Sequence, residues 1–248
     1  MRNSFFFGVG GVLSADIAVP EHERELGFYS KVLTTGAAPL WRDDLTNNQG
    51  TPIIGLGERS PEYESLPLQW LPHFQVSDVG ASVERTLALG GEEVMHAKGE
   101  DGQSQWAVLL DPTGAAFGLI PVVPEGSHGA SEPDAIGHIS WLSLVASDVS
   151  ATCEFYEQVI GYSAAPVNEK GSREMRRPDG GLAAEIWPME GEHANLPSVW
   201  LLSLPVDDFS ESLKHVREGG GEIVAEAAEA GHAVIRDPVG VYVALQAH

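Results

Sequence analysis

Hydrophobic and polar positions follow two periods in a fixed order along the chain, and the order occurs four times. Each time a short alternating run comes first. In the first run Ala15, Ile17 and Val19 share one face of a strand, with Ser14, Asp16 and Ala18 on the other. In the second, Trp70, Phe74 and Val76 oppose Leu71, His73 and Gln75. The third sets Leu142, Leu144 and Ala146 against Trp141, Ser143 and Val145. The fourth sets Trp200, Leu202, Leu204 and Val206 against Leu201, Ser203 and Pro205. After each run the period lengthens to that of a helix. The apolar stripes are Leu26, Tyr29 and Leu33; Val79, Val83 and Leu87; Val149, Cys153, Tyr156 and Ile160; and Phe209, Leu213 and Val216. Asp78, Asp148 and Asp208 stand where a helix N-cap belongs, and Gly36, Gly90-Gly91 and Gly219-Gly220-Gly221 follow as stops.

Residue-level echoes strengthen the repeat. Phe28-Tyr29 in the first copy matches Phe155-Tyr156 in the third, and Trp70-Leu71 in the second matches Trp200-Leu201 in the fourth. The second and fourth copies both close on an apolar strand and an Asp-Pro-x-Gly turn, at 111–114 and 237–240, where proline presets φ and glycine allows it to be positive. The repeat predicts four strand–helix–strand modules over residues 12–57, 70–121, 138–187 and 199–247. Two domains, 1–122 and 138–248, are expected on either side of a linker at 123–137, which is rich in Pro, Gly and Ser and lacks an apolar period. At 248 residues and 43% hydrophobic content, one large or two small domains are expected, each with its own core.

Charge narrows the partners. With 36 acidic against 14 basic residues the net charge is −22, a field that repels nucleic acid and anionic bilayers. No run is long enough to span a membrane, and Phe5-Phe6-Phe7 leads straight into a patterned strand, so it reads as structural rather than as a leader. Cys153 is the single cysteine, which precludes an intrachain disulfide and fits a cytoplasmic protein with a buried structural thiol. No Gly-x-Ser-x-Gly elbow or phosphate loop is present.

The helix text from Asp148-Val149-Ser150 through Glu154-Phe155-Tyr156 to Gly161-Tyr162, and the Asp-Pro-x-Gly turns followed by apolar strands, resemble the βαβββ module of the vicinal-oxygen-chelate superfamily of glyoxalases, bleomycin-resistance proteins and extradiol dioxygenases. The four-module, two-domain group labelled as hydroxylases or as a mycobacterial secreted antigen is the nearest in pattern. The resemblance implies an α+β fold in which four βαβββ modules pair, sequentially or by exchange between halves, into two cup-shaped mixed-sheet domains. Helices would cover the convex face and a ligand would sit in the concave one. It also implies a divalent metal, held by a His or Gln on a module's first strand and a Glu on its last. In this sequence the His positions align with Ser14, Leu71, Trp141 and Leu201, and the Glu positions with Gly118 and Ala244; none is a usual ligand. Only Glu185 keeps a carboxylate.

The expectation is therefore a small-molecule binder without metal or other cofactor. The rival is a lyase, isomerase or oxygenase, metal-dependent or using Asp16, His73 and Glu185 as acid–base groups. A third reading makes the modules structural, with cups plugged by Leu71, Trp141 and Leu201. His73 suits proton transfer near neutrality, Asp16 would orient it or bind a cation, and Glu185 sits among apolar residues. The strand parity puts Ser14, Leu71, Gln75, Trp141, Ser143 and Ser203 on cup faces, and Trp187 is expected across the cup from Trp141, where a planar ligand would stack. A homodimer is left open.

Overall fold

The computed structural model describes residues 4–34, 54–125 and 139–248. Strands β1 (Val12–Val19), β2 (Gly55–Glu58), β3 (Leu71–Val76), β4 (Glu92–Lys98), β5 (Ser104–Leu110) and β6 (Ala116–Pro121) form one mixed sheet in the order β2-β1-β3-β6-β5-β4. Strands β7 (Trp141–Ala146), β8 (Ser163–Ala164), β9 (Arg173–Arg176), β10 (Leu182–Pro188), β11 (Trp200–Val206), β12 (Glu222–Ala227), β13 (His232–Arg236) and β14 (Tyr242–Ala247) form a second, in the order β12-β13-β14-β11-β7-β10-β9-β8. Helices α1 (His22–Val32), α2 (Val79–Ala88), α3 (Val149–Ile160) and α4 (Phe209–Glu218) each follow the first strand of a module. The fold is the expected α+β class, and the modules pair in chain order. The expected Gly36 stop and most of the expected linker lie outside the described residues.

Local chemistry sets the helix starts. Asp78, Asp148 and Asp208 each accept a hydrogen bond from the backbone N–H three residues on, at 2.9 Å, satisfying a donor that the helix leaves free. The first helix opens on Glu21, which makes no such bond. Along the first strands the parity is as the sequence predicts: Ala15, Ile17 and Val19 are buried, while Asp16 opens to solvent.

The two sheets do not have separate cores. One continuous cluster takes in Phe74 and Phe117 from the first sheet together with Tyr156 and Trp200 from the second half. Helix α1 packs on α4 and α2 on α3, so the helical faces of both sheets meet each other. Phe74 alone touches the rings of Tyr156, Tyr162 and Trp200, at centroid distances of 6.3, 6.1 and 5.2 Å. Edge-to-face and tilted ring pairs contribute about 0.5–1.5 kcal/mol each beyond their buried area. The main core is thus shared between the halves rather than one per half, with a small separate cluster on each sheet.

The echoed sequence motifs meet at this junction. Tyr29 of α1 donates to Asp237 in the turn after β13 at 2.8 Å, and Tyr156 of α3 donates to Asp111 in the turn after β5 at 3.0 Å. Each Asp also accepts backbone N–H groups within its own turn: Thr113 and Ala115 for Asp111, Val239 and Val241 for Asp237. The Phe-Tyr and Asp-Pro-x-Gly repeats are thus two ends of one contact, made twice about an approximate twofold axis. The N-terminal segment is a further strap. Gln75, fully buried, donates from Nε2 to the carbonyls of Phe6 and Gly11 and accepts at Oε1 from the N–H groups of Gly8 and Val123. The Phe5–Phe7 run is therefore structural, as expected.

Candidate functional site

The concave face of the first sheet holds a cavity of about 550 Å³. Its floor is a small apolar cluster that includes Ala18, Leu71, Val108 and Leu66. Tyr63, on the short turn over 61–63, and Trp106, on β5, lie at its edge; both are more than a third exposed, unusual for large aromatic side chains. The turn is fixed by Arg59, whose guanidinium donates to the carbonyls of Ala18, Glu64 and Leu66.

Asp16 and His73 come together on this wall. Antiparallel pairing sets Asp16 opposite Leu71, which brings His73, two residues on, to the same face diagonally across the seam. His73 Nε2 lies 3.4 Å from Asp16 Oδ2, with the imidazole side chain 20% exposed and the carboxylate 54% exposed. Parallel pairing sets each of them beside a glycine: Asp16 beside Gly55, His73 beside Gly118. Those glycines are spatial requirements. A Cβ on Gly118 would stand 2.6 Å from His73 Cδ2, and one on Gly55 would overlap Asp16 Oδ1. Both polar side chains lie over the last strand of their own module, in the space a side chain there would fill.

Glu185 is not part of this group. It is on β10 in the other sheet, 6% exposed, beside Ser143 in the register and accepting a hydrogen bond from Ser172 Oγ. The three expected acid–base residues thus divide into a pair and a separate carboxylate. Of the expected cavity residues, Leu71 lines the first cup. Ser14 is half-buried on β1, the strand of Asp16, but does not line the cavity. The expected place of Gln75 in the wall does not hold, because its amide is fully used in clasping the N-terminal strap. Trp141, Ser143 and Ser203 are buried in the second sheet, 7%, 1% and 3% exposed. Trp187 does not face Trp141 across an open cup but stacks on His193, with centroids 4.3 Å apart and planes 6° from parallel. The second cup carries its own packed cluster of Val145, Leu196, Leu201 and Val234. The plugged reading fails for the first cup, where Leu71 lines an open cavity. Sequence reasoning missed Trp106, Tyr63, Leu66 and Met95; an exposed Trp opening the apolar run at 107–110 was the one available signal.

A metal fits poorly. Among the described residues no three His, Cys, Asp or Glu side chains converge. Asp16 and His73 supply two donors, and the residues paired beside them on the sheet, Leu71, Gly55 and Gly118, supply no side-chain ligand; Gln105 and Tyr63 also line the cavity but are not grouped with the pair.

Comparison with known proteins places this geometry. Residues 14–120 match the Glyoxalase-like domain, and residues 135–245 match the Glyoxalase/Bleomycin resistance protein/Dioxygenase superfamily. The four paired modules, three of them complete as βαβββ among the described residues, and these matches define the vicinal-oxygen-chelate class, and the chain belongs to the glyoxalase/bleomycin-resistance/dioxygenase superfamily. "Putative glyoxylase CFP32" of Mycobacterium tuberculosis is 28% identical over 182 residues, covering 71% of this chain and 69% of that one. The anthracycline biosynthesis protein DauV of Streptomyces sp. strain C5 is 30% identical over 179 residues, covering 68% of this chain and 60% of the relative. The Mn(II)-bound glyoxalase from Novosphingobium aromaticivorans superposes with a TM-score of 0.55 at 13% identity, over 99% of this chain and 82% of that one, a likeness of fold.

Proposed function

We propose that the protein binds a small, flat and mainly apolar molecule in the first cup, without a metal, and that Asp16 and His73 make its polar contact. The observation that carries this reading is the placement of one Asp–His pair on the wall of an otherwise apolar cavity with two exposed aromatic side chains at its edge. A volume of about 550 Å³ suits a ligand of a few fused rings. The name of the DauV relative supports the same shape, since an anthracycline is a flat fused-ring molecule. Isothermal titration with fused-ring aromatic compounds tests the proposal. One molecule should bind per chain, and Ala18→Phe, which fills the cavity, should abolish it. Binding unaffected by Ala18→Phe would refute the assignment to this cup.

A second reading makes the same pair catalytic. His73 is placed to take or return a proton at a ligand's polar edge while Asp16 orients the ring through Nε2, which leaves Nδ1 as the transferring atom. This is acid–base lyase or isomerase chemistry. It predicts turnover that falls at least a hundredfold in His73→Ala with ligand affinity changed much less.

A further inference from the structure

The cavity's charge is one-sided. Among the described residues Asp16 is the only carboxylate on the lining, and no Lys or Arg lines it. The nearest described candidate, Arg59, has its guanidinium turned onto three backbone carbonyls behind the rim. Asp16 Oδ2 is directed to His73, yet the side chain is 54% exposed, so acceptor capacity is left facing the cup. A carboxylate takes up to about four hydrogen bonds, and the imidazole uses one at most. Trp106 and Tyr63 add π-faces, whose negative quadrupoles attract cations. An anionic ligand would lose hydration on entry, find no compensating cation on this lining and be repelled by Asp16. The net charge of −22 adds a long-range field of the same sign.

We infer that the first cup selects a cationic ligand: an aromatic or fused-ring amine whose ammonium group rests on Asp16 while its ring system lies on the apolar wall between Trp106 and Tyr63. The inference rests on the reading of this cup as a small-molecule site and adds the charge of the ligand to it. His73 then completes the polar end by hydrogen bonding. The glycine at 55 becomes a selectivity position, since any side chain there would displace the carboxylate that meets the amine.

Three probes of one ring system separate the possibilities: 2-naphthylmethylamine, 2-naphthalenemethanol and 2-naphthoate, titrated by calorimetry against the full chain. A hydrogen bond that gains a full charge on the donor strengthens by enough to favour the amine roughly tenfold or more over the alcohol. The carboxylate should bind weakest. In Asp16→Asn the amine should lose its advantage over the alcohol, and an unchanged circular-dichroism spectrum and melting profile would show that the variant is folded. Added salt should weaken the amine alone. Equal binding of amine and alcohol, or tighter binding of naphthoate, would overturn the charge assignment and leave the small-molecule cup standing. No binding of any of the three would overturn both.

Discussion

Glu25 is the most sharply placed ionisable group in the protein, and replacing it by glutamine should stabilise the fold at alkaline pH. Its side chain is fully buried on α1, with no described N–H or O–H group donating to its carboxylate and with the Asp237 carboxyl beside it. Burial, and then the charge of Asp237 across the junction between the halves, push its pKa from 4.5 up to about 8. Asp237 is itself raised by burial, offset in part by the N–H groups of its turn and by Tyr29. Arg24 on the same helix acts to lower the Glu25 value and Glu21 to raise it. The symmetry-related junction has Asp111, Tyr156 and Trp200 but carries Thr152 where Glu25 stands, so the second carboxyl is an addition to one side only. Because the folded pKa lies above the unfolded one, the stability this group contributes is fully present below about pH 4.5. It is lost as pH rises towards 8 and stays lost above that. At 1.36 kcal/mol per pH unit, a shift of this size corresponds to about 3 kcal/mol lost by pH 7 and about 5 kcal/mol by pH 9, shared with Asp237 as a coupled pair. Glu25→Gln removes the titration and supplies an amide donor to Asp237. Thermal and urea denaturation near pH 5, 7 and 9 would show wild type and variant close together at pH 5 and separating as pH rises. At pH 9 the variant should melt roughly 10–20 °C higher for a chain of this size. Parallel stability curves across that range would refute the argument that burial and the charge of Asp237 raise the Glu25 pKa.

Other expectations follow from single contacts. Gly118→Ala places a methyl group 2.6 Å from the His73 ring and should turn the imidazole away from Asp16. Ligand affinity should fall roughly tenfold with little loss of stability, and an unshifted His73 ring signal by NMR would show that the clearance is unimportant. Gln75→Leu leaves the backbone groups of Phe6, Gly8, Gly11 and Val123 without their side-chain partner and should cost about 2–4 kcal/mol. Limited proteolysis should then cut within residues 4–11, where the wild type resists. Loading with Ni²⁺, Fe²⁺, Mn²⁺ or Zn²⁺ followed by gel filtration should leave no stoichiometric ion by elemental analysis. About one ion per chain, lost in His73→Ala, would contradict the two-donor argument.

The architecture was legible because it is written in periodicity. Four strand-to-helix changes of period, three Asp caps and two Asp-Pro-x-Gly turns are local signals, and each formed the element it predicts. The shared core was not legible, since amphipathic faces say that a face is buried but not against what. The Phe-Tyr and Asp-Pro-x-Gly echoes were both visible, yet their meeting as Tyr29–Asp237 and Tyr156–Asp111 depends on contacts 208 and 45 residues apart in sequence. Parity found Asp16, His73 and Leu71 for the first cup, because alternation along a strand is geometry that sequence contains. It failed for Gln75, which has the right parity but lies at the end of β3, where the N-terminal strap covers it. It also failed for the second cup, since Leu196, from the loop between β10 and β11, packs with Leu201 and Val234 there and no strand pattern reports a loop's position. Tyr63 was missed for the same reason, since a short turn carries no period, and Trp106 because it stands at the exposed start of β5, ahead of the buried run at 107–109. Cys153 is buried as expected, with its thiol pushed up to about 11 by burial.

The central claim, that the first cup is the ligand site, is tested most directly by mapping backbone and side-chain NMR shifts on titration with 2-naphthylmethylamine. The account predicts perturbations concentrated at Asp16, Gly55, Tyr63, His73, Trp106 and Gly118, with residues around Glu185 and Trp187 unmoved. Perturbations centred on Glu185, Trp187 and His193 would place the site in the other sheet and contradict it.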